Sequence, residues 1–226
     1  MLDNSFWSCL VPCSTEISKR VKNEMKELVE HLKRIGVLNS STLFDAFLEN
    51  DRRDFVPLEF QSRMYEDIAL SIGFGQTISQ PYTVAFMMEL LQPEPGNEVL
   101  DVGFGSGWTT GILAKAVGKQ GAVCAVEIVP EVYKFGKGNL QKLNYPNIEF
   151  YEGSWEDLPP RKFDCILVSA AAASVPDKLV AKLKIGGRMV IPVKNGFDHS
   201  IRLIKKISES KIIEQNYPGF IFVPLI

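Results

Sequence analysis

From residue 97 onward the chain alternates between short β-rich runs and helical patterns, and no other feature narrows the possible folds as much. The β-rich runs are NEVLDV (97–102), AVCAVEI (122–128), NIEFYE (147–152), FDCILV (163–168) and GRMVIPV (187–193). Between them, apolar residues recur at helix spacing over 108–117, 130–143 and 176–183. Strands that are nearly continuous in apolar residues, each followed by a helix, predict a parallel sheet covered on both faces. The tail departs from the alternation. SIRLIKKIS (200–208) and GFIFVPLI (219–226) are two strand candidates with no helix between them, so they are expected to pair antiparallel at one edge. The fold class is a doubly wound α/β domain, mostly parallel, with an antiparallel edge strand.

Ahead of this core, Met25, Leu28, Val29, Leu32 and Ile35 recur at helix spacing, and Gly36 supplies a stop. Asn39 or Ser40 can cap a second helix through Leu43, Phe44, Phe47 and Leu48. Residues 25–80 therefore read as a preface of helix and loop, and 81–226 as the α/β core of the same domain. Residues 1–24 read as an appended arm.

Charge and cysteine usage remove several function classes. Twenty-five Lys and Arg against 27 Asp and Glu give a net charge of −2, without the broad positive field that nucleic-acid binding needs. Cys124 and Cys165 lie inside apolar strand runs, where a thiol behaves as a small hydrophobe. Cys9 and Cys13 lack both CxxC spacing and a neighbouring His, so no metal is expected. The first residues carry no basic segment ahead of an apolar one, and no apolar stretch reaches membrane-spanning length. A cytoplasmic, monomeric protein is expected.

Ligands of such sheets bind beyond the carboxyl ends of the strands, where the strand order reverses. The first core strand ends in Asp101-Val-Gly103-Phe-Gly105-Ser-Gly107, and a helix follows directly. Alternate glycines let the backbone approach a ligand, and the helix start directs free N–H groups at the same place. Glu127 ends the next strand, where a carboxylate can accept hydrogen bonds from two ribose hydroxyls. A dinucleotide fingerprint would need glycine where Trp108 stands. G-x-G-x-G behind an acidic residue suggests S-adenosyl-L-methionine instead, with Asp101 available to its cationic groups. The competing reading is a tight turn with no ligand.

Further motifs then match one family in order. Leu70-Ser-Ile-Gly-Phe-Gly-Gln-Thr-Ile-Ser-Gln-Pro-Tyr82, DRRDFVP (51–57), AAA followed by VP (170–176), LKIGGRMVIPV (183–193) and FVPL (222–225) resemble the protein-L-isoaspartate O-methyltransferases over roughly 25–226. The resemblance implies a Rossmann-like methyltransferase sheet. It also implies methyl transfer from S-adenosyl-L-methionine to the free carboxylate of isoaspartyl residues in damaged proteins or peptides, leaving S-adenosyl-L-homocysteine. The ester then collapses to a succinimide that partly returns to a normal aspartyl bond. By the same similarity, Gln76, Thr77, Ile78 and Ser79 line the junction of cofactor and substrate, with Ser79 at the catalytic position. Asp101, Gly103, Gly105 and Gly107 belong to the loop at the methionine end, and Glu127 and Ile128 meet ribose and adenine. Ser79 also has a structural reading, as the N-cap of a helix starting at Pro81.

Three places differ from the family pattern. Gly153-Ser154-Trp155 stands where Gly-Asp-Gly is usual, so the Ser154 hydroxyl would accept from adenine, and Trp155 stacks on it, blocks the pocket or fills core. Ala173 replaces a proline, and Lys194 replaces a glycine near the substrate rim. These leave open a methyltransferase for another carboxylate, or an impaired paralogue that only binds the cofactor. His31 and His199 lie outside every motif, and the chemistry needs neither, because a carboxylate is already ionised near neutral pH.

Overall fold

The computed structural model describes residues 14–196 and 198–226. Two helices open it, α1 (Ser14–Arg34) and α2 (Ser41–Glu49). The first begins well before Met25, so part of the expected arm is helical. Met25, Leu28, Val29 and Leu32 are buried as the spacing requires, whereas Ile35 is 47% exposed. Ser40 caps α2, its side chain accepting the Leu43 N–H. Cys9 and Cys13 lie outside the described residues.

The preface is not helix and loop alone. The signature segment folds into a hairpin of β1 (Leu70–Gly73) and β2 (Gln76–Ile78). The helix α3 (Pro81–Leu91) follows it. Its N-cap is Gln80, not Ser79, and the Gln80 side chain accepts no backbone N–H of the helix. Asp67 serves instead, one oxygen accepting the Tyr82 amide at 2.7 Å and the other the Gln80 side chain at 3.1 Å. Ser79 is thereby free of the capping role.

The core runs β3 (Glu98–Val102), α4 (Trp108–Val117), β4 (Ala122–Glu127), α5 (Pro130–Gln141), β5 (Ile148–Glu152), β6 (Phe163–Val168) and α6 (Asp177–Ala181), alternating strand and helix except between β5 and β6, which only the short 3₁₀ turn Trp155–Asp157 separates. Three longer strands complete it, β7 (Leu183–Asn195), β8 (Asp198–Ser208) and β9 (Lys211–Phe220). They form one sheet in the order β5-β4-β3-β6-β7-β8-β9. Pairing is parallel from β5 through β7, then antiparallel at β7–β8 and β8–β9. The tail pairs antiparallel at the edge as expected, β8 running against both of its neighbours, with one correction: the edge strand is Lys211–Phe220 rather than 219–226. Beyond Phe220 the chain leaves the sheet, and Pro224 bridges Ala171 in parallel.

Both faces of the centre of the sheet are covered. Val99, Val123 and Cys165 pack with the helices of one face, and Leu100, Cys124 and Ile166 with Trp155, Phe163 and Leu179 on the other. The strand order reverses between β3 and β6, so the crevice beyond their carboxyl ends is where a ligand belongs. Among the described residues, no helix is long and apolar enough to cross a membrane.

Candidate active site

A cleft with about 780 Å³ of space, its open mouth included, lies at that reversal. Its floor is the glycine loop after β3 and the ends of β4 and β6. One wall is Gln76 to Ser79 from the hairpin, and another is the terminal segment from Val223. Of the residues expected at a site, the structure thus brings together Gln76, Thr77, Ile78, Ser79, Gly103, Gly105, Glu127, Ile128, Ser154 and Trp155 around one space. Asp101 and Gly107 do not border it.

The loop is built to be approached. Gly103 has φ +75, and a Cβ added there would meet nothing within 4 Å, so a ligand can lie against the bare backbone. Gly107 has a different purpose. Its φ is +90, and a Cβ would come within 2.8 Å of Leu140 and 3.0 Å of the Gly136 carbonyl, so this glycine lets α4 seat against α5.

Glu127 is buried, 6% exposed, and fixed by three backbone amides. One oxygen accepts from Gly105 at 3.1 Å, the other from Ile128 at 2.9 Å and Val129 at 3.0 Å. The same carboxylate therefore shapes the end of β4 and ties the glycine loop to it. Ser154 accepts the Glu156 N–H, which caps the short 3₁₀ turn Trp155–Asp157. Trp155 is 9% exposed and packs in the core with Leu158 and Phe163 while also bordering the cleft. Core filling is thus its first role.

Asp101 lies fully buried beneath the loop. Thr110 and Thr109 donate to one of its oxygens at 2.7 and 3.1 Å, and the other oxygen has no partner. Burial pushes the carboxyl up to about 6, the two threonine hydroxyls pull it down, and the Glu127 charge pushes it further up. An acid with an unused oxygen, next to a bare backbone cradle, suits a cationic ligand better than an anionic one.

Arg52 is legible in the sequence only as part of the DRRDFVP match. It is fully buried, and its guanidinium donates to the carbonyls of Met64, Glu66, Ile68 and Ser79. It also lies over the Trp108 ring, 5.4 Å from the centroid. No sequence spacing announces a side chain that reaches so far along the chain. Lys194 and Ala173 are exposed and border no part of the cleft.

The family model described as Protein-L-isoaspartate(D-aspartate) O-methyltransferase (PCMT) matches residues 23–226. The protein-L-isoaspartate O-methyltransferase of Methanopyrus kandleri is 40% identical over 214 residues, 93% of this chain and 95% of its own. That of Staphylothermus marinus is 40% identical over 217 residues, covering 92% and 96%. A Plasmodium falciparum crystal structure, described as a candidate protein-L-isoaspartate O-methyltransferase in complex with S-adenosyl-L-homocysteine, superposes with a TM-score of 0.81. It is 26% identical and covers 89% of this chain and 98% of its own.

Proposed function

Since the chain belongs to the protein-L-isoaspartate(D-aspartate) O-methyltransferase family, we propose that its cleft binds S-adenosyl-L-methionine and directs methyl transfer to the free carboxylate of isoaspartyl residues. The observation that carries this is a convergence: the signature segment ending at Ser79 and the glycine loop after β3 open on one cleft. The Plasmodium relative in complex with S-adenosyl-L-homocysteine supports the cofactor.

The residues present fit that cofactor. Gly103 leaves room along the backbone, and Asp101 puts a negative charge under the loop. Glu127 is held at the strand end, where it can meet ribose hydroxyls. Ser154 and Trp155 border the cleft farther along. When bound, S-adenosyl-L-methionine supplies an electrophilic methyl group on a cationic sulfur.

What the protein adds is alignment and dryness. Among the described residues bordering the cleft, Glu127 is the one with an acidic side chain, there is no His, Lys or Cys, and three amides already occupy that carboxylate. There is accordingly no general base at hand, and an acceptor that is already ionised requires none. Ser79 is proposed to orient the acceptor carboxylate through its hydroxyl, with Thr77 and the Val223–Leu225 wall shaping the space around it. Holding the acceptor oxygen in line with the methyl group and excluding water accounts for the catalysis. The reading extends to a cytoplasmic, monomeric enzyme whose partners are damaged proteins or peptides.

Labelled S-adenosyl-L-methionine with an isoaspartyl peptide, and the normal aspartyl peptide as control, tests the proposal. Label in the isoaspartyl peptide alone is the expected result. Label in neither, with cofactor binding intact, would overturn it.

Two variants test the cofactor side. Glu127→Ala removes the ribose acceptor and frees the Gly105 amide, so calorimetry should find cofactor binding weaker by about 1–3 kcal/mol. Unchanged affinity would mean that this strand end does not meet the ligand. Ser154→Asp keeps a competent cap, since aspartate caps as well as serine, and adds a stronger acceptor. It should tighten cofactor binding by roughly 0.5–1.5 kcal/mol. No change would indicate that Trp155 holds the adenine away from position 154.

A further inference from the structure

His199 belongs to none of the family motifs, yet it anchors one wall of the cleft. It sits on β8, opposite Lys194 of β7 and Phe220 of β9. Its Nδ1 lies 2.8 Å from the backbone nitrogen of Phe222. A backbone N–H can only donate, so Nδ1 is the unprotonated acceptor and the ring carries its proton on Nε2. The Phe222 ring leans on the imidazole, with centroids 6.4 Å apart.

This bond stands at a junction. On one side Phe220 is still paired with His199 in the sheet, and Ile221, between Phe220 and Phe222, is 84% exposed. On the other, Val223 gives its carbonyl to the Ala171 N–H at 2.8 Å, and Leu225 donates to the Ala171 carbonyl at 2.9 Å. Val223, Pro224 and Leu225 border the cleft, as does Ala170 beside Ala171. The imidazole therefore fixes the point at which the chain leaves the sheet edge to become a cleft wall.

We propose that His199 is a positioning residue for the methyl acceptor: its ring accepts the Phe222 N–H and so seats the Val223–Leu225 wall. This rests on reading the cleft as an isoaspartyl methyltransferase site. An imidazole nitrogen is the acceptor that reaches this amide from β8, and the Phe222 ring beside it leaves the bond partly shielded from water.

The test is the KM for an isoaspartyl peptide at saturating cofactor in the wild type, His199→Gln and His199→Leu. Glutamine should match the wild type, because its amide oxygen can accept the same N–H. Leucine cannot, and should raise KM about three- to tenfold with kcat and cofactor affinity nearly unchanged. A leucine variant with wild-type KM, or a glutamine variant no better than leucine, overturns the proposal.

A second measurement does not depend on activity or on the leucine variant folding. Nitrogen–nitrogen coupling across the hydrogen bond should link the Phe222 amide to His199 Nδ1 in the wild type. Absence of that coupling also overturns the proposal. A wild type that fails to methylate the peptide would refute the proposed function instead, and the coupling would still decide the role of His199.

Discussion

Arg52→Ala should lower the stability of the fold by about 4 kcal/mol, one of the largest effects expected of any single substitution here. The guanidinium is completely buried. Nη1 donates to the Met64 carbonyl at 2.7 Å and the Glu66 carbonyl at 3.2 Å, and Nη2 to those of Ile68 at 2.8 Å and Ser79 at 3.1 Å. Truncation orphans four acceptors, each costing about 1–3 kcal/mol if kept from water. Three of those bonds are only part-buried, so water can reach some of the carbonyls and the sum falls short of the maximum. For a chain of this length each kcal/mol moves the melting temperature by about 2–4 °C, so a drop of roughly 10 °C is expected. Lysine keeps the charge but not the fork, and should recover less than half of the loss. Desolvation lowers the Arg52 pKa to about 10, with Asp67 opposing that shift, so the side chain remains a cation at neutral pH. An Arg52→Ala protein that melts like the wild type would show that the segment from Met64 to Ser79 needs no staple. Because the Ser79 carbonyl is one of the four, the lysine variant should also bind the peptide acceptor less well than the cofactor loss alone would explain.

What the sequence makes legible is what periodicity and turn chemistry encode locally. The run 163–168 is β6 to the residue, and 108–117 is α4 to the residue, because apolar continuity and helical spacing are properties of short windows. Glu127 and the glycine loop are legible for the same reason. The hairpin escapes such a reading because strands of four and three residues are too short for an alternation to be told from chance, and Phe74 at its tip takes a left-handed φ of +53. The edge strand β9 lies earlier than the sequence suggests because most of its residues face water on both sides, leaving no two-fold pattern. Ser79 stands one residue ahead of the true cap: Pro81 marks the helix start, but Asp67, far back in sequence, satisfies the entry. Gly107 fits the loop pattern yet serves helix packing, a distinction that only the Leu140 contact reveals. Arg52 and His199 share one difficulty, since their partners are backbone groups, and a carbonyl or an amide leaves no mark on the residue that bears it.

Asp101→Asn should weaken cofactor binding by ten- to a hundredfold, about 1.4–3 kcal/mol, and remove its dependence on pH. The carboxyl is pushed up to about 6 by burial, opposed by the Thr110 and Thr109 hydroxyls and reinforced by Glu127, from an ordinary value of 3.8. The folded protein therefore holds this proton more tightly than the unfolded chain does. The stability that it confers is present below about pH 3.8 and is lost as pH rises through about 6. At neutral pH the buried charge thus weakens the unliganded fold by about 3 kcal/mol, since a tenfold change in proton affinity is worth about 1.4 kcal/mol. A cation brought into the cleft favours the ionised form and offsets that penalty, whereas an anion would add to it. Cofactor affinity should accordingly be flat above about pH 7 and fall below about pH 6 in the wild type, levelling off near the affinity of the asparagine variant. Asparagine keeps the shape, and its oxygen can still accept from both threonines, but it carries no charge at any pH. The melting temperature of the unliganded variant should change little, because relief of the buried charge is opposed by an amide donor placed where an oxygen now lacks a partner. Wild-type affinity in Asp101→Asn, with the same fall below about pH 6, would assign both the charge and its titration to another group.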